Sequence, residues 1–259
     1  MTTKPTAAND KLADDLALAL QAADIADGVS LPGFVSRGFR VERKADKSEV
    51  TELDRNTESA ITALFRAQRP DYSVYGEEHG VVGPSNARYQ WVIDPIDGTS
   101  NFVRGVPVWA TLIALVEDGM PVLGVVSAPA LQRRWWAARS LGARASVANA
   151  APKRLRVSAT SELRKASASI TVTESWHAAG KTSHLDRLQR GVARMRNYGD
   201  FWQHMLVAEG AVDFAVDAIG LGPYDIAALT TIVTEAGGAW SNRHGQTDWR
   251  SDSLVSSNG

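Results

Sequence analysis

The chain has 259 residues, 44% of them hydrophobic and 22% charged, and its formal net charge is −1. This composition is typical of a globular protein with a sizeable core, and the balanced charge excludes the basic surface with which proteins bind nucleic acid. The absence of cysteine excludes disulfides, thiolate catalysis and cysteine-ligated metals, and no apolar run is long enough to span a membrane or serve as a signal peptide.

Hydrophobic periodicity predicts two helices and a set of strands in the first half of the chain. Apolar residues recur at helical spacing over 9–28, and a polar hairpin follows over 39–50. Thr51, followed three residues later by Asp54, forms a variant capping box that should start the second helix. The predicted strands are 72–76, 91–93, 108–116, 120–127, 134–138 and 143–147, and an Asp-Gly turn joins the third to the fourth. We therefore expect two helices packed on an antiparallel sheet.

The second half of the chain alternates between strands and helices. Small residues ending in Pro152 predict a boundary at 148–152, which divides the chain into an N-terminal part over 1–150 and a C-terminal part over 151–259. The elements predicted beyond it are strands 167–172, 193–198 and 213–216 and helices 183–191, 200–209 and 224–236. This alternation predicts an α/β arrangement.

The most informative stretch follows the strand over 91–93. Asp94 and Asp97 stand at the end of this strand, where carboxylates held by a sheet can converge on a hard cation. The Gly-Thr-Ser at 98–100 then opens a helix, and the unpaired N–H groups at a helix start bind anions. A cation site beside an anion site is the layout of a metal-dependent phosphate-ester enzyme. Asp-Pro and Asp-Gly are also ordinary turn dipeptides, so each pair alone is compatible with a simple turn.

Three further acidic positions each fit a purely structural role. Asp54 fits a helix cap, and Glu77, beside Glu78, fits either a solvated turn or a cation site, because adjacent carboxylates repel each other. Asp225 stands at the start of the last long helix, where a carboxylate offsets the exposed N–H groups. The five histidines lack the close spacing of a zinc site, so a metal would be held by oxygen, which favours Mg²⁺ or Mn²⁺.

The string Asp-Pro-Ile-Asp-Gly-Thr-Ser-Asn-Phe over 94–102 resembles the Asp-Pro-(Ile/Leu)-Asp-Gly-Thr-x-Asn-Phe signature of the inositol monophosphatase family. Other segments of that family occur in order along the chain. They are Lys44 with Asp46, the Val-Thr-x-x-Asp that ends in Asp54, the Gly-Glu-Glu that contains Glu77, and a (Trp/Tyr)-Asp-x-Ala at 224–227 with Tyr instead of the usual Trp. The resemblance covers nearly the whole chain. It implies a layered αβαβα sandwich of the α+β and α/β type, with an antiparallel N-terminal sheet and a mixed C-terminal sheet.

The resemblance also implies a ligand set and a catalytic group. The implied metal ligands are Glu77, Asp94, the Ile96 backbone carbonyl, Asp97 and Asp225, holding two or three Mg²⁺ ions, or Mn²⁺ in their place. Without a cation, carboxylates gathered in this way would repel one another. Thr99, oriented by Asp54, would activate the attacking water together with Glu77. The N–H groups of Gly98, Thr99 and Ser100 would hold the phosphate.

Two carboxylates bear on the choice of substrate. Inositol-specific relatives carry small or hydroxyl residues where this chain has Asp200, and Asp217 is a second candidate. A carboxylate there favours a cationic substrate tail. L-Histidinol phosphate has such a tail, and the Tyr-Gly-Asp-Phe at 198–201 resembles the actinobacterial-type histidinol-phosphate phosphatase branch of the family. Inositol 1-phosphate or a sugar phosphate is the alternative, a catalytically silent scaffold is a further one, and Asp200 also fits a plain helix cap.

Composition and resemblance also set the expected surroundings of the protein. We expect a cytoplasmic protein with a small phosphate ester as its partner and with no nucleic-acid or membrane partner. The resemblance implies a homodimer, with which the eight tryptophans are compatible. Members of the family usually continue into a further helix beyond the Asn-Gly that ends this chain, so the C-terminus is expected to be either truncated or naturally short.

Overall fold

The structure is a computed structural model that describes residues 7–45, 47–148, 150–171, 174–178 and 180–259. Asp46, Asn149 and Val172, which belong to features predicted from the sequence, lie outside these ranges. The helices are α1 (Ala7–Ser36), α2 (Glu52–Gln68), α3 (Thr99–Arg104), α4 (Glu174–Ala178), α5 (Thr182–Gly191), α6 (Asp200–Ala208) and α7 (Pro223–Glu235). None of the helices in the described ranges combines the length and hydropathy needed to cross a bilayer.

The strands fall into a short hairpin and two larger sheets. The hairpin is β1 (Val41–Arg43) and β2 (Glu49–Thr51). The strands of the first large sheet are β3 (Ser73–Gly76), β4 (Gly80–Val82), β5 (Tyr89–Asp97), β6 (Ala110–Glu117), β7 (Met120–Ala128), β8 (Arg133–Ala138), β9 (Gly142–Val147) and β10 (Lys153–Arg154). Those of the second are β11 (Ser167–Ile170), β12 (Arg194–Arg196), β13 (Phe214–Asp217), β14 (Ala239–Ser241) and β15 (Leu254–Ser257).

The first large sheet has the order β10-β9-β8-β7-β6-β5-β3-β4 and contains one pairing that the sequence did not predict. All neighbours are antiparallel, as predicted, except β3 and β5, which run parallel. The short strand β4 turns back along the outer edge of β3, which leaves the inner side of β3 to β5. Gly76 pairs with Ile93 in this parallel register, so Glu77, the first residue after β3, follows next to Asp94 of β5.

The second sheet has the order β12-β11-β13-β15-β14 and is mixed, as expected. Its first three strands are parallel, and β15 runs antiparallel to both β13 and β14. A cavity of about 880 Å³ lies on its outer face, between β13 and β15 on one side and α4 and α5 on the other. The predicted carboxylates do not line this cavity.

Alternation along β5 shows how the layers are held together. Trp91 and Ile93 pack with α1 and α2 on one face of the first sheet, whereas Val92 packs with α6 and α7 on the other. This period of two is what a strand buried on both faces requires. A Cβ atom at Gly124 would lie 2.3 Å from the Ala228 carbonyl oxygen, so glycine allows α7 to approach β7 closely. The layered α+β arrangement predicted from the sequence is therefore confirmed.

Candidate active site

Three carboxylates meet at the ends of β5 and α7. One carboxylate oxygen from each of Asp94, Asp97 and Asp225 lies within 4.8 Å of the other two. The pairing of β5 with β6 shifts register between Asp94 and Asp97, and this irregularity bends the strand end. Asp225 reaches the same point from the first turn of α7, where it also accepts a hydrogen bond from the Gly222 N–H at 2.5 Å. The capping interpretation and the convergence with Asp94 both hold for this residue.

The protein holds these carboxylates in a setting that disfavours their charges. Burial, together with the neighbouring charges of Glu77 and Asp97, raises the pKa of Asp94 well above its ordinary value. Burial and the charge of Asp200 do the same to the pKa of Asp97, and burial raises the pKa of Asp225 to about 6. Carboxylates that resist ionisation together form a site for a positive ion.

Glu77 lies beside this cluster but outside its tightest group. Its Oε1 pairs with Lys44 Nζ at 2.7 Å, and Glu78 Oε1 pairs with the same nitrogen at 2.6 Å. Burial raises the pKa of Glu77 to about 7 despite this ion pair. The structure thus brings Asp94, Asp97 and Asp225 together and leaves Glu77 bound to a lysine at the rim. No role for Lys44 was derived from the sequence beyond its place in a motif.

Glu58 builds the turn that carries Glu77, and sequence reasoning missed it. Its side chain is buried, and its carboxylate accepts hydrogen bonds from the backbone N–H groups of Glu78 and His79, both at 2.8 Å. A Cβ atom at Gly76 would lie 2.0 Å from Glu58 Oε1, so a side chain at the first residue of Gly-Glu-Glu would displace the Glu58 carboxylate from these hydrogen bonds. A glutamate inside a polar-looking helix carries no sequence signal for such a position.

Thr99 and Asp54 are in contact across the site. Asp54 Oδ2 accepts hydrogen bonds from the Thr51 N–H at 2.8 Å and the Thr51 hydroxyl at 2.6 Å, which is the predicted capping box. Its other oxygen lies 3.2 Å from the Thr99 hydroxyl, which also lies 2.9 Å from the Ile96 carbonyl oxygen. Asp54 therefore caps α2 and touches Thr99 at once, and burial raises its pKa.

The start of α3 lies against the same space. Gly98 has a left-handed φ of 82°, and a Cβ atom there would lie 3.0 Å from the Val108 carbonyl oxygen. Glycine is required on both counts. Gly98, Thr99 and Ser100 line one cavity with Glu77, Asp97 and Asp225, and the volume of this cavity is about 570 Å³.

Asp200 and Asp217 line the same cavity. Asp200 Oδ2 accepts a hydrogen bond from Asn101 Nδ2 at 2.8 Å, and burial raises the pKa of Asp200 to about 6. The residue has a left-handed φ of 47° and makes no capping hydrogen bond to α6, whose N-cap is Gly199. The alternative that Asp200 merely caps its helix is therefore wrong, because its side chain points to Asn101 and the cavity.

The sequence matches the inositol monophosphatase family model over residues 11–259. The chain belongs to the inositol monophosphatase family. The histidinol-phosphatase of Mycobacterium tuberculosis is 48% identical over 95% of this chain and 94% of that protein. The histidinol-phosphatase of Streptomyces coelicolor is 46% identical over 95% and 93%.

Solved structures of this family have the same fold. The extragenic suppressor protein SuhB of Bartonella henselae has a TM-score of 0.85 at 27% identity, covering 95% of this chain and 94% of that one. An IMPase of Thermotoga maritima has a TM-score of 0.82 at 32% identity, covering 95% and 92%.

The donor set of this inositol monophosphatase family member fits a hard divalent cation. The three converging side chains offer only carboxylate oxygen, the ligand that Mg²⁺ and Mn²⁺ prefer, and no nitrogen or sulfur of the kind that selects zinc. Burial and the neighbouring carboxylates raise their pKa values, so a bound divalent cation would stabilise their charged forms.

Stripped of divalent cations, the protein should lose stability as the pH rises from about 5 to 8. Glu77 and Asp225 have pKa values of about 7 and about 6 in the folded protein, whereas unfolded carboxyl groups titrate near about 4. Between these values the folded state binds more protons than the unfolded state. This contribution to stability is complete below the unfolded pKa and is lost as the pH rises through the folded pKa.

Thermal unfolding in a chelator across this pH range measures the effect. The fall in melting temperature should be smaller in Asp225→Asn and smaller again in wild type with Mg²⁺, because the cation favours the charged carboxylates. A melting temperature that stayed level or rose in chelator would contradict the expectation.

Proposed function

We propose that the protein is a Mg²⁺-dependent phosphate monoester hydrolase that converts L-histidinol phosphate and water to L-histidinol and phosphate, a step of histidine biosynthesis. The observation on which the choice of substrate rests is the pair of carboxylates, Asp200 and Asp217, that line the cavity, with Asp200 beside the start of α3. Within the described residues, Asp200 forms no ion pair with a lysine or arginine, so its charge is available to a ligand. Relatives named histidinol-phosphatase support the same choice.

The proposed metal ligands are Glu77, Asp94, the Ile96 carbonyl, Asp97 and Asp225. Two or three Mg²⁺ ions, or Mn²⁺, would supply Lewis acidity, lowering the pKa of a water and offsetting the phosphate charge. Glu77 would leave Lys44 to join this set. Because Asp94, Asp97 and Asp225 would all serve as ligands, no covalent phospho-enzyme is expected.

Thr99 is proposed to orient the attacking water. Its single hydroxyl proton can be donated either to Ile96 O or to Asp54 Oδ1. With the Ile96 carbonyl engaged as a ligand, Asp54 remains as the acceptor, and a lone pair on the Thr99 hydroxyl then faces the water proton. The N–H groups of Gly98, Thr99 and Ser100 would hold phosphate oxygens while the water oxygen bonds to phosphorus. The bond between phosphorus and the ester oxygen breaks, and one proton of the water ends on the ester oxygen, which gives the alcohol and phosphate.

Asp200→Asn should weaken the preference for the cationic ester. Loss of a charge-assisted contact worth about 1.5–3 kcal/mol lowers kcat/KM for L-histidinol phosphate by about 10- to 100-fold. The value for inositol 1-phosphate, a neutral polyol ester, should stay within about threefold. Asparagine is the informative replacement, because it tolerates the left-handed backbone of Asp200 whereas alanine would add strain. Steady-state phosphate release with the two esters is the measurement.

Asp118→Asn is the matched control for this experiment. Asp118 also has a left-handed φ, of 49°, but it lies in the turn between β6 and β7 with its side chain 66% exposed. The same substitution there should leave both kcat/KM values unchanged. If the wild-type kcat/KM for inositol 1-phosphate or a sugar phosphate equals or exceeds that for L-histidinol phosphate, the proposed substrate is wrong. If none of these esters releases phosphate with Mg²⁺, the protein is a catalytically silent scaffold.

A further inference from the structure

A hydrogen-bonded series of buried polar side chains lies behind Asp217, away from the cavity. His204, on α6, is fully buried, and its Nε2 lies 2.9 Å from Asp217 Oδ2. Its Nδ1 lies 2.9 Å from the hydroxyl of Ser256, which is fully buried on β15. Because a carboxylate oxygen only accepts, Nε2 carries the proton of the first contact. The ring is thus held between the second sheet and the cavity wall.

A second donor reaches the same oxygen of Asp217. Gln203, the residue before His204, donates from Nε2 to Asp217 Oδ2 at 2.6 Å, and its own Oε1 accepts a hydrogen bond from Ser169 at 2.7 Å. Within the part of the chain that the structure describes, the hydrogen bonds to Asp217 all end on Oδ2. The carboxylate is therefore anchored through one oxygen, and Oδ1 is left for a ligand in the cavity that Asp217 lines.

The order serine, histidine, aspartate invites comparison with a nucleophile triad, but the burial excludes that role. Ser256 has no exposed surface and lines neither the cavity beside the carboxylates nor the cavity on the outer face of the second sheet. No substrate phosphorus can approach its hydroxyl. Among these three residues, Asp217 lines the cavity beside the carboxylates, whereas His204 and Ser256 line neither of the two cavities. Ser256 therefore fixes the imidazole, and the imidazole fixes the carboxylate.

We propose that His204 is a positioning residue for substrate choice, which holds Asp217 so that Oδ1 meets the cationic amino-alcohol end of the substrate. The proposal rests on the proposed function, because it needs a substrate with a cationic tail. His204 would touch neither substrate nor metal. Its effect would be transmitted through Asp217, so it would change binding of a cationic ester and leave the phosphate chemistry alone.

The test compares His204→Phe, which keeps a ring but removes both nitrogens, with His204→Gln, which can restore a donor near the position of Nε2. For His204→Phe, kcat/KM for L-histidinol phosphate should fall about tenfold, mainly through a higher KM. The value for inositol 1-phosphate should stay within about twofold, and His204→Gln should recover most of the loss. Adding His204→Phe to Asp217→Asn should cause no further change in the ratio of the two esters.

Met205→Leu is the matched control, because Met205 is fully buried on the same helix and packs in the core between the sheets. It should leave the ratio of the two kcat/KM values unchanged. A His204→Phe enzyme that loses both esters equally, or keeps the wild-type ratio, would overturn the proposal while leaving the proposed function intact. A wild type without preference for the cationic ester would overturn both.

Should His204→Phe fail to fold, Ser256→Ala carries the same test. This variant frees the ring but keeps its donor, so the preference for L-histidinol phosphate should fall by a smaller factor in the same direction. An unchanged preference in folded Ser256→Ala, judged by its melting curve, would overturn the proposal.

Discussion

Asp94→Asn should abolish phosphatase activity and at the same time stabilise the metal-free protein. Loss of one ligand charge from the cluster removes several kcal/mol of charge stabilisation from the reaction, so turnover should fall by about 10³-fold. The opposite sign for stability follows from the raised pKa of Asp94, which burial and the charges of Glu77 and Asp97 produce. A neutral amide of the same shape removes this repulsion. The melting temperature in chelator should rise by roughly 2–4 °C for each kcal/mol of repulsion removed.

Asp213→Asn is the control, for which we expect the opposite effects on stability and on activity. Asp213 is a buried carboxylate near the outer face of the second sheet, and hydrogen bonds from Ser158 and the Ser167 N–H outweigh burial and lower its pKa. Its neutralisation should cost stability and spare activity. Calorimetry of Mg²⁺ binding to Asp94→Asn gives an independent readout, with affinity well below wild type. An Asp94→Asn variant that kept wild-type activity, or melted at a lower temperature than wild type in chelator, would refute the proposal that the carboxylates repel one another until a cation binds.

Thr99→Val should lower kcat by about 10²- to 10³-fold with little change in KM, since a positioned proton-transfer group typically contributes 10²–10⁴-fold. Valine keeps the shape of threonine but has no hydroxyl, so the contacts with Asp54 Oδ1 and Ile96 O are lost. Single-turnover phosphate release separates this loss of chemistry from any change in binding. A kcat within a few-fold of wild type would remove Thr99 from the proposed mechanism.

Thr57→Val supplies the comparison on the neighbouring helix. Thr57 is buried in α2, and its hydroxyl lacks a hydrogen-bond partner within the described residues. The same threonine-to-valine change should therefore leave kcat as it is. Stability should be unchanged or slightly higher, because an unsatisfied buried hydroxyl is removed.

Local chemistry allowed much of the fold to be predicted from the sequence. The capping box of Thr51 and Asp54 occurs as predicted. The turn at Asp118 and Gly119 also occurs as predicted, and these two residues have positive φ. Neighbouring residues in the sequence determine both features. Helix α1 was predicted to end at 28 but continues to Ser36, past Pro32. Phe34 there packs on Phe102 and Trp109, and this distant contact offsets the local cost of the proline.

The supporting residues of the candidate site could not be predicted in the same way. The residues from Asp94 to Ser100 are contiguous, so their proximity follows from the chain itself. Glu58 and His204, by contrast, act on partners 20 and 13 residues away, the Glu78 N–H and Asp217. Their orientation depends on how α2 and α6 pack against the sheets. A buried glutamate or histidine has the same letter in a sequence as an exposed one, and only the packed fold distinguishes them.

Asp54 and Glu58 are four residues apart and so lie on one side of α2. One of them touches Thr99, and the other holds the turn after β3. Helix α2 thus sets the spacing between the Thr99 hydroxyl and the Glu77 carboxylate. Any shift of α2 along its axis would disturb both ends of the reaction centre together. A small molecule that bound the outward surface of α2 and shifted the helix would therefore inhibit hydrolysis without competing with the substrate.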